Sequence, residues 1–158
     1  MKDSKKVIIS NKNKVEEQQI PPLGVRGLFL GIDHPALAAD DVEKLSDWYC
    51  EMFGYEKWFK HEKPVWMLKA PDGTLLEIMP KDETLRQSRT TWTPGWSHLA
   101  LRVENIEQAI EFLDTKGIVW GGEVINAIGG GKVRSAFDCE GNMIQILERS
   151  PPTPRGGV

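Results

Sequence analysis

Two segments of the chain carry apolar residues at intervals of three and four positions, the spacing that places side chains on one face of an α-helix. The apolar positions are Leu45, Trp48, Tyr49, Met52 and Phe53 in the first segment, and Ile106, Ala109, Ile110 and Leu113 in the second. The pattern therefore predicts two amphipathic helices, each with one face directed toward a core.

Residues at the ends of both segments favour the start and the end of a helix. Asp40 and Asp41 precede the first segment and Asn105 the second, and such side chains accept hydrogen bonds from the unpaired amide groups of a first helical turn. Gly54 and Gly117 follow the apolar stripes, and glycine readily adopts the left-handed conformation that ends a helix. Both predicted helices are thus bounded on each side.

The segments around the two helices repeat between the halves of the chain. Residues 31–38 (GIDHPALA) align with 95–102 (GWSHLALR), and residues 71–78 (PDGTLLEI) align with 139–146 (CEGNMIQI). The aligned segments predict an opening strand before each helix, and a hairpin turn with a closing strand after it. Further strands are predicted at 55–60, 65–68, 120–125 and 133–137. Each half is therefore expected to fold as strand, helix and three strands.

The repeat is flanked by segments of different composition. Residues 1–27 are polar with little periodicity and are interpreted as an N-terminal arm, and residues 150–158 are rich in proline and glycine and are interpreted as a tail. Between them, 28–149 is expected to form one domain of two modules, 28–80 and 95–149. A chain of 158 residues is long enough for one core but short for two ordinary domains.

The composition indicates which classes of binding partner and which cellular compartment to expect. The net charge is −3 and no basic run is present, so the chain lacks the positive surface that nucleic-acid binding requires. No stretch approaches the roughly 20 apolar residues that span a bilayer, which argues against a membrane partner. The two cysteines, Cys50 and Cys139, are far apart and outside any CxxC motif. We therefore expect reduced thiols and a cytoplasmic location.

Alternation along the predicted strands places four polar residues away from the helices. His34 and His98 lie on the opening strands, next to Pro35 and Leu99, and Glu77 and Gln145 lie on the closing strands between apolar neighbours that face the core. A carboxylate on a sheet is costly without a partner, and a cation held with two histidines would supply one. Two imidazoles, a carboxylate and an amide oxygen suit Zn, Ni, Co, Mn or Fe(II). The pattern predicts a divalent metal site in one cleft shared by both halves.

Three further residues are candidates for substrate binding. Arg102 shares the face of His98 and could hold an anionic group, with a surface ion pair as the alternative. Trp66 and Trp96 could stack against a ligand, with core packing as the alternative. Glu148 has the opposite parity to Gln145 and is expected to face the helices instead.

These features resemble the vicinal oxygen chelate superfamily, which includes glyoxalase I, methylmalonyl-CoA epimerase, extradiol dioxygenases and the fosfomycin and bleomycin resistance proteins. The resemblance covers about residues 28–149. It rests on the histidine of Ile32-Asp33-His34 and Trp96-Ser97-His98, and on the acidic-Gly turn followed four residues later by Glu77 or Gln145.

The resemblance implies an α+β fold in which two βαβββ modules form a curved eight-stranded mixed sheet around a cleft, with helices on the outer face. In the family, modules pair within one chain or across a dimer, so a homodimer is expected. The metal ligands that the resemblance implies are His34, Glu77, His98 and Gln145.

The function implied is that of a glyoxalase-like lyase or isomerase, in which a divalent ion chelates adjacent oxygens of a small carbonyl substrate and stabilises an enediolate. Glyoxalase-like enzymes generally have a carboxylate at the position of Gln145 that serves as ligand and base. An amide cannot accept a proton, so Glu77 is the expected catalytic base.

Two alternatives remain open. His34, His98 and Glu77 also match the two-histidine, one-carboxylate set of a ring-cleaving Fe(II) dioxygenase, although in those relatives the carboxylate lies in the later module. A metal-free protein that binds a small ligand, similar to the bleomycin resistance proteins, is the other alternative.

Overall fold

The computed structural model describes residues 31–61 and 64–150, and the backbone of two strands nearer the N-terminus. These strands, β1 (Val7–Asn11) and β2 (Lys14–Gln18), pair antiparallel in a sheet of their own. They belong to the predicted N-terminal arm, and the other residues up to 30 lie outside the described residues, as does the tail from 151 onward. Residues 1–33 form one unit and residues 34–158 a second, and the site concerns the second.

The described part of the second unit contains two helices and nine strands, arranged as two similar halves. The first half consists of β3 (Ala36–Ala39), α1 (Val42–Phe53), β4 (Glu56–Lys60), β5 (Trp66–Lys69) and β6 (Leu75–Pro80). The second half consists of β7 (Leu99–Val103), α2 (Ile106–Thr115), β8 (Val119–Trp120), β9 (Ile125–Asn126), β10 (Lys132–Phe137) and β11 (Met143–Glu148). The predicted α+β class is confirmed, and the strand predicted at 120–125 is divided into β8 and β9.

Both helices begin at the predicted capping residues. The side chain of Asp41 accepts a hydrogen bond of 3.0 Å from the backbone amide three residues later. The side chain of Asn105 does the same for α2, at 2.8 Å. Gly54, with φ of 68°, and Gly117, with φ of 72°, follow the two helices in the left-handed conformation. None of the described helices has both the length and the apolar composition needed to cross a bilayer.

The strands of the two halves form separate mixed sheets. The first sheet has the order β3-β6-β5-β4, and the second has the order β7-β11-β10-β8, with β9 also pairing with β10. In each sheet the opening strand runs parallel to the closing strand, and the other pairs are antiparallel. The single eight-stranded sheet implied by the resemblance is not confirmed, because β3 and β7 are edge strands of different sheets.

The helices cover one face of each sheet, and the opposite face is called the open face below. Leu76 and Ile78 on β6, and Ile144 and Ile146 on β11, are fully buried on the helix-covered faces. Leu45 and Tyr49 of α1 are buried in the same apolar cluster as the β6 residues. The alternating burial along both closing strands is therefore the result of helix packing on one face only.

The two halves contact each other through their helix-covered sides. Met52 of α1 packs in one cluster with Ile106 and Leu113 of α2 and with Ile146 of β11. Polar contacts join the same sides, since the carboxylate of Glu140 accepts hydrogen bonds of 2.8 and 2.9 Å from the backbone amides that precede α1. The turn before β11 in the second half is thereby bound to the start of the first helix.

A buried hydrogen bond adds to this contact between the halves. The hydroxyl of Tyr49, a residue with no exposed surface, donates to Oδ2 of Asp138 at 3.2 Å. Burial, with the nearby Asp138 carboxylate, raises the pKa of Tyr49 well above its usual value, so the hydroxyl stays protonated as a donor.

We expect Tyr49→Phe to lower the free energy of unfolding by about 1 kcal/mol, because a buried hydrogen bond is lost without a change in ring packing. Urea unfolding followed by circular dichroism measures this. Tyr55→Phe is the matched control, since the Tyr55 ring packs edge-on against Tyr49 at 5.9 Å. If both variants lost the same free energy of unfolding, the hydrogen bond from Tyr49 to Asp138 would contribute no more than the Tyr55 hydroxyl does.

Candidate functional site

The pairing register places the predicted polar residues at equivalent positions of the two sheets. In the first sheet Glu77 pairs with Ala36, and His34 precedes that alanine by two residues. In the second sheet Gln145 and His98 occupy the corresponding positions. Directly paired residues share a face of a sheet, and His34 and His98 each lie two positions before the paired alanine, just outside β3 and β7. Continued alternation predicts one histidine beside one oxygen-bearing side chain on each open face.

His34 and Glu77, here called the first half-site, lie close enough to bind one ion. Nε2 of His34 is 3.4 Å from Oε2 of Glu77, and the two side chains are 31% and 26% exposed. When two ligand atoms occupy adjacent coordination positions, each roughly 2.1 Å from the metal ion, the two atoms are about 3 Å from each other. The pair therefore fits two neighbouring positions in the coordination shell of a divalent ion, at a place that a small molecule can reach.

His98 and Gln145, here called the second half-site, offer a nitrogen and an amide oxygen. Nδ1 of His98 lies 3.0 Å from the hydroxyl oxygen of Ser97, so Nε2 is the ring nitrogen left for a metal ion. Glu148 lies on the other face, as its parity predicts, where Oε2 accepts a 2.8 Å hydrogen bond from the backbone amide of Ile106. Glu148 thus caps α2 and is not part of the half-site.

The two half-sites are not brought together within one chain. Across the described residues, no group of three or more histidine, cysteine, aspartate or glutamate side chains is placed to hold a metal ion. The packing is consistent with this arrangement, because the halves contact each other through a cluster that includes both helices. Within the described part of one chain, His34, Glu77 and His98 are therefore not placed together around a single ion.

Trp66 lies on the helix-covered face of the first sheet. It pairs with Ile78, which is fully buried, and it packs against the apolar cluster beneath α1. The position beside Glu77 on the open face belongs to Met67, its pairing partner on β5. Trp66 is therefore separated from the first half-site by the sheet, which supports the packing interpretation of this tryptophan.

Trp66 instead belongs to a charged cluster centred on Glu43. The indole N–H donates to Oε2 of Glu43 at 2.9 Å, and the ammonium groups of Lys57 and Lys60 donate to the same carboxylate at 2.9 and 2.6 Å. Both ammonium groups also lie 5.0 Å from the centre of the Trp66 ring. The hydrogen bonds from Lys60, Lys57 and Trp66 lower the pKa of Glu43 to about 2.

The other two substrate candidates lie in the second half. Arg102 is on the open face, where it pairs with Leu147, two positions beyond Gln145 on β11. Trp96 is 86% exposed, and its backbone oxygen accepts a 3.0 Å hydrogen bond from Nη2 of Arg89. Arg102 thus shares a face with the second half-site, whereas Trp96 lies on the loop that leads to it.

Two aromatic residues on the open face of the first sheet were not predicted. Trp58 and Phe59 are 60% and 55% exposed, and the register shift between Lys57 and Phe59 places both opposite Met67. Nζ of Lys69, which also faces this side, lies 6.0 Å from the centre of the Trp58 ring. A β-bulge interrupts alternation, so counting residues along β4 could not have assigned both rings to one face.

Comparisons with known proteins identify a family. The profile described as the Glyoxalase/Bleomycin resistance protein/Dioxygenase superfamily matches residues 33–134, a range that includes His34, Glu77 and His98 and ends before Gln145. Among curated proteins, no sequence matches this chain at a significant level.

Several solved structures share the fold of this chain. A member from Sphaerobacter thermophilus is 17% identical, with a TM-score of 0.62 over 77% of this chain and 99% of that chain. Lactoylglutathione lyase from Agrobacterium tumefaciens is 19% identical, with a TM-score of 0.58 over 75% and 93%. The fosfomycin resistance protein FosX from Listeria monocytogenes, complexed with Mn(II) and sulfate, is 17% identical, with a TM-score of 0.59 over 77% and 91%.

We expect Glu43→Gln to lower the melting temperature at pH 7 and to flatten its dependence on pH. The pKa of Glu43 is lowered from 4.5 to about 2 in the folded protein. Its stabilisation is therefore fully present above pH 4.5 and is lost as the pH falls toward 2. Thermal melts across this range measure the effect. Glu111→Gln, on the exposed side of α2, is the control, and an unchanged profile in Glu43→Gln would contradict the assignment.

Proposed function

The chain belongs to the glyoxalase/bleomycin resistance protein/dioxygenase superfamily, and we propose that it is a metal-dependent, glyoxalase-like lyase or isomerase acting on a small carbonyl compound. The observation that carries this proposal is the first half-site, where a histidine nitrogen and a glutamate oxygen lie 3.4 Å apart on an open sheet face. The second half-site repeats the same position in the other sheet. The structural likeness to a lactoylglutathione lyase and to a Mn(II) complex of FosX supports it.

Two copies of the chain together form the complete site in this proposal, with His34 and Glu77 from one and His98 and Gln145 from the other. The two half-sites are separate within one chain, and each lies beside an edge strand, β3 or β7. Pairing of β3 of one copy with β7 of the second copy would join the four strands of the first sheet to the strands β7, β11, β10 and β8 of the second sheet. A two-fold dimer would then contain two identical sites, each beneath an eight-stranded sheet.

Each residue has a distinct role in the proposed reaction. A divalent ion, when bound, would polarise the substrate carbonyl and stabilise the charge that develops on its oxygen. His34 and His98 bind through ring nitrogens, and the Ser97 contact orients the His98 ring. Glu77 takes the proton from the carbon beside the carbonyl, because the amide of Gln145 cannot accept one.

We expect mixtures of His34→Ala and His98→Ala chains to regain metal binding that each variant alone has lost. In a mixed dimer, one site combines both substitutions while the other contains only native ligands. Mn(II) binding, measured by electron paramagnetic resonance after unfolding and refolding the two variants together, tests this. If the mixture bound no more Mn(II) than the separate variants, the cross-subunit site would be rejected.

We expect Glu77→Gln to retain metal but to reduce turnover by roughly 10²–10⁴-fold, the usual contribution of a general base. Exchange of solvent deuterium into the carbon-bound hydrogens of hydroxyacetone, followed by NMR, measures proton removal without knowledge of the natural substrate. Elemental analysis of the same samples measures the metal. Glu111→Gln, an exposed position on α2 away from both half-sites, is the matched control. Undiminished exchange in Glu77→Gln would exclude its role as the base.

A metal-free protein that binds a small ligand is the second candidate, and the exposed Trp58 and Phe59 on the open face favour it. Protein prepared without an affinity tag and then dialysed against Mn(II), Ni(II), Zn(II) or Fe(II) separates the two functions. Uptake of an ion with a rise in melting temperature supports the enzyme. If no ion is taken up and the melting temperature does not rise, the ligand-binding protein is supported.

A further inference from the structure

Glu77 stands in a row of directly paired residues that crosses the first sheet. Its partner on β3 is Ala36 and its partner on β5 is Met67, which in turn pairs with Phe59 on β4. Neighbouring strands are about 4.8 Å apart, so the backbone of Phe59 lies roughly 10 Å from that of Glu77 on the same face. The row therefore leads from the first half-site across an apolar surface toward the far edge of the sheet.

The far end of this row is aromatic and carries a positive charge. The bulge in β4 adds Trp58 to Phe59 opposite Met67, and both rings are more than half exposed. The ammonium group of Lys69 lies 6.0 Å from the centre of the Trp58 ring. An exposed pair of aromatic side chains stabilises a planar apolar group that stacks on it, and the ammonium favours electron-rich or anionic substituents nearby.

The corresponding row of the second sheet has a different character. Gln145 pairs with Ser135, and the backbone oxygen of Ser135 accepts a 2.8 Å hydrogen bond from the amide of Gly121. A Cβ atom on Gly121 would meet the ring of Phe137 at 3.2 Å and Cβ of Ser135 at 3.3 Å, so little room exists there for a side chain. The two rows therefore differ, with Met67 and the exposed Phe59 in the row of Glu77, and Ser135 in the row of Gln145, where Phe137 lies two positions further along the same face.

We propose that the first sheet binds the non-reacting arm of the substrate and that this arm is an aryl group. The proposal rests on the proposed function, because the reacting oxygens are taken to lie at His34 and Glu77. An aryl group attached to the reacting carbons would lie over Met67 and reach Trp58 and Phe59. Burying a six-membered ring in this way removes far more apolar surface from water than burying a methyl group does.

A second copy of the chain is the competing occupant of this aromatic surface. In the sheet order β3-β6-β5-β4, the two aromatic residues lie on the edge strand opposite to β3. A dimer joined through β3 leaves β4 at the far side of the cleft, where it lines the open face. The position of the aromatic pair therefore favours contact with substrate.

Mandelate and lactate provide a matched pair of probes, since both offer two adjacent oxygens and they differ only by phenyl against methyl. Using isothermal titration calorimetry on the full chain loaded with Mn(II), we expect mandelate to bind at least about tenfold more tightly than lactate. Trp58→Ala should remove this preference while leaving lactate binding unchanged. Trp92→Ala is the control, because Trp92 is also highly exposed but lies on the loop between the halves.

Several results would overturn the aryl proposal. These are undetectable mandelate binding, equal affinities for the two probes, or a preference that survives in Trp58→Ala. A dimer that dissociates in Trp58→Ala, as measured by sedimentation velocity, would assign the surface to the second copy instead.

Repeating the titration after removal of metal separates this proposal from the proposed function. If Mn(II) does not bind but mandelate is still preferred through Trp58, the aryl proposal stands and the metal-dependent function fails. If Mn(II) and lactate bind but mandelate has no advantage, the function stands and the aryl proposal fails.

Discussion

The register between the opening and closing strands is the constraint on which both half-sites depend. Leu76 and Ile78 are fully buried on either side of Glu77. A shift of one residue would expose both and bury the carboxylate, because side chains alternate between the faces of a sheet. Returning two such side chains to water costs about 1.5–3 kcal/mol each. Core packing therefore determines which face Glu77 occupies, and the same argument applies to Gln145 between Ile144 and Ile146.

Packing of the helices determines where the two open faces lie. Met52 of α1 shares one apolar cluster with residues of α2 and β11, and the Glu140 carboxylate binds the start of α1. The halves therefore pack against each other through their helix-covered sides. Each open face carries only two of the four proposed metal ligands. In the proposed dimer the chemistry is a property of the assembly, since His34, just before β3 of one copy, and His98, just before β7 of the other, contribute to one site.

Much of the local structure could be predicted from the sequence because it depends on near neighbours. The limits of α1 follow from Asp41 and Gly54, and the opposite faces of Gln145 and Glu148 follow from strand alternation. The face of Trp66 required its partner on β6, and the shared face of Trp58 and Phe59 required knowledge of a bulge. The separation of the half-sites depends on long-range helix contacts, which a repeat in the sequence does not specify.

The proposed site is asymmetric although the two modules repeat the same topology. The two modules have a histidine at the same position, so both sides can hold an ion, but only the first has a carboxylate on the open face of its closing strand. The rows of paired residues also differ. Met67 and Phe59 lie in the row of Glu77, and Ser135 pairs with Gln145. If one module from each copy contributes, both sites of a two-fold dimer contain one carboxylate face and one amide face. Proton removal and the apolar surface then always occur on the same side of the bound substrate, and this would impose one orientation on it.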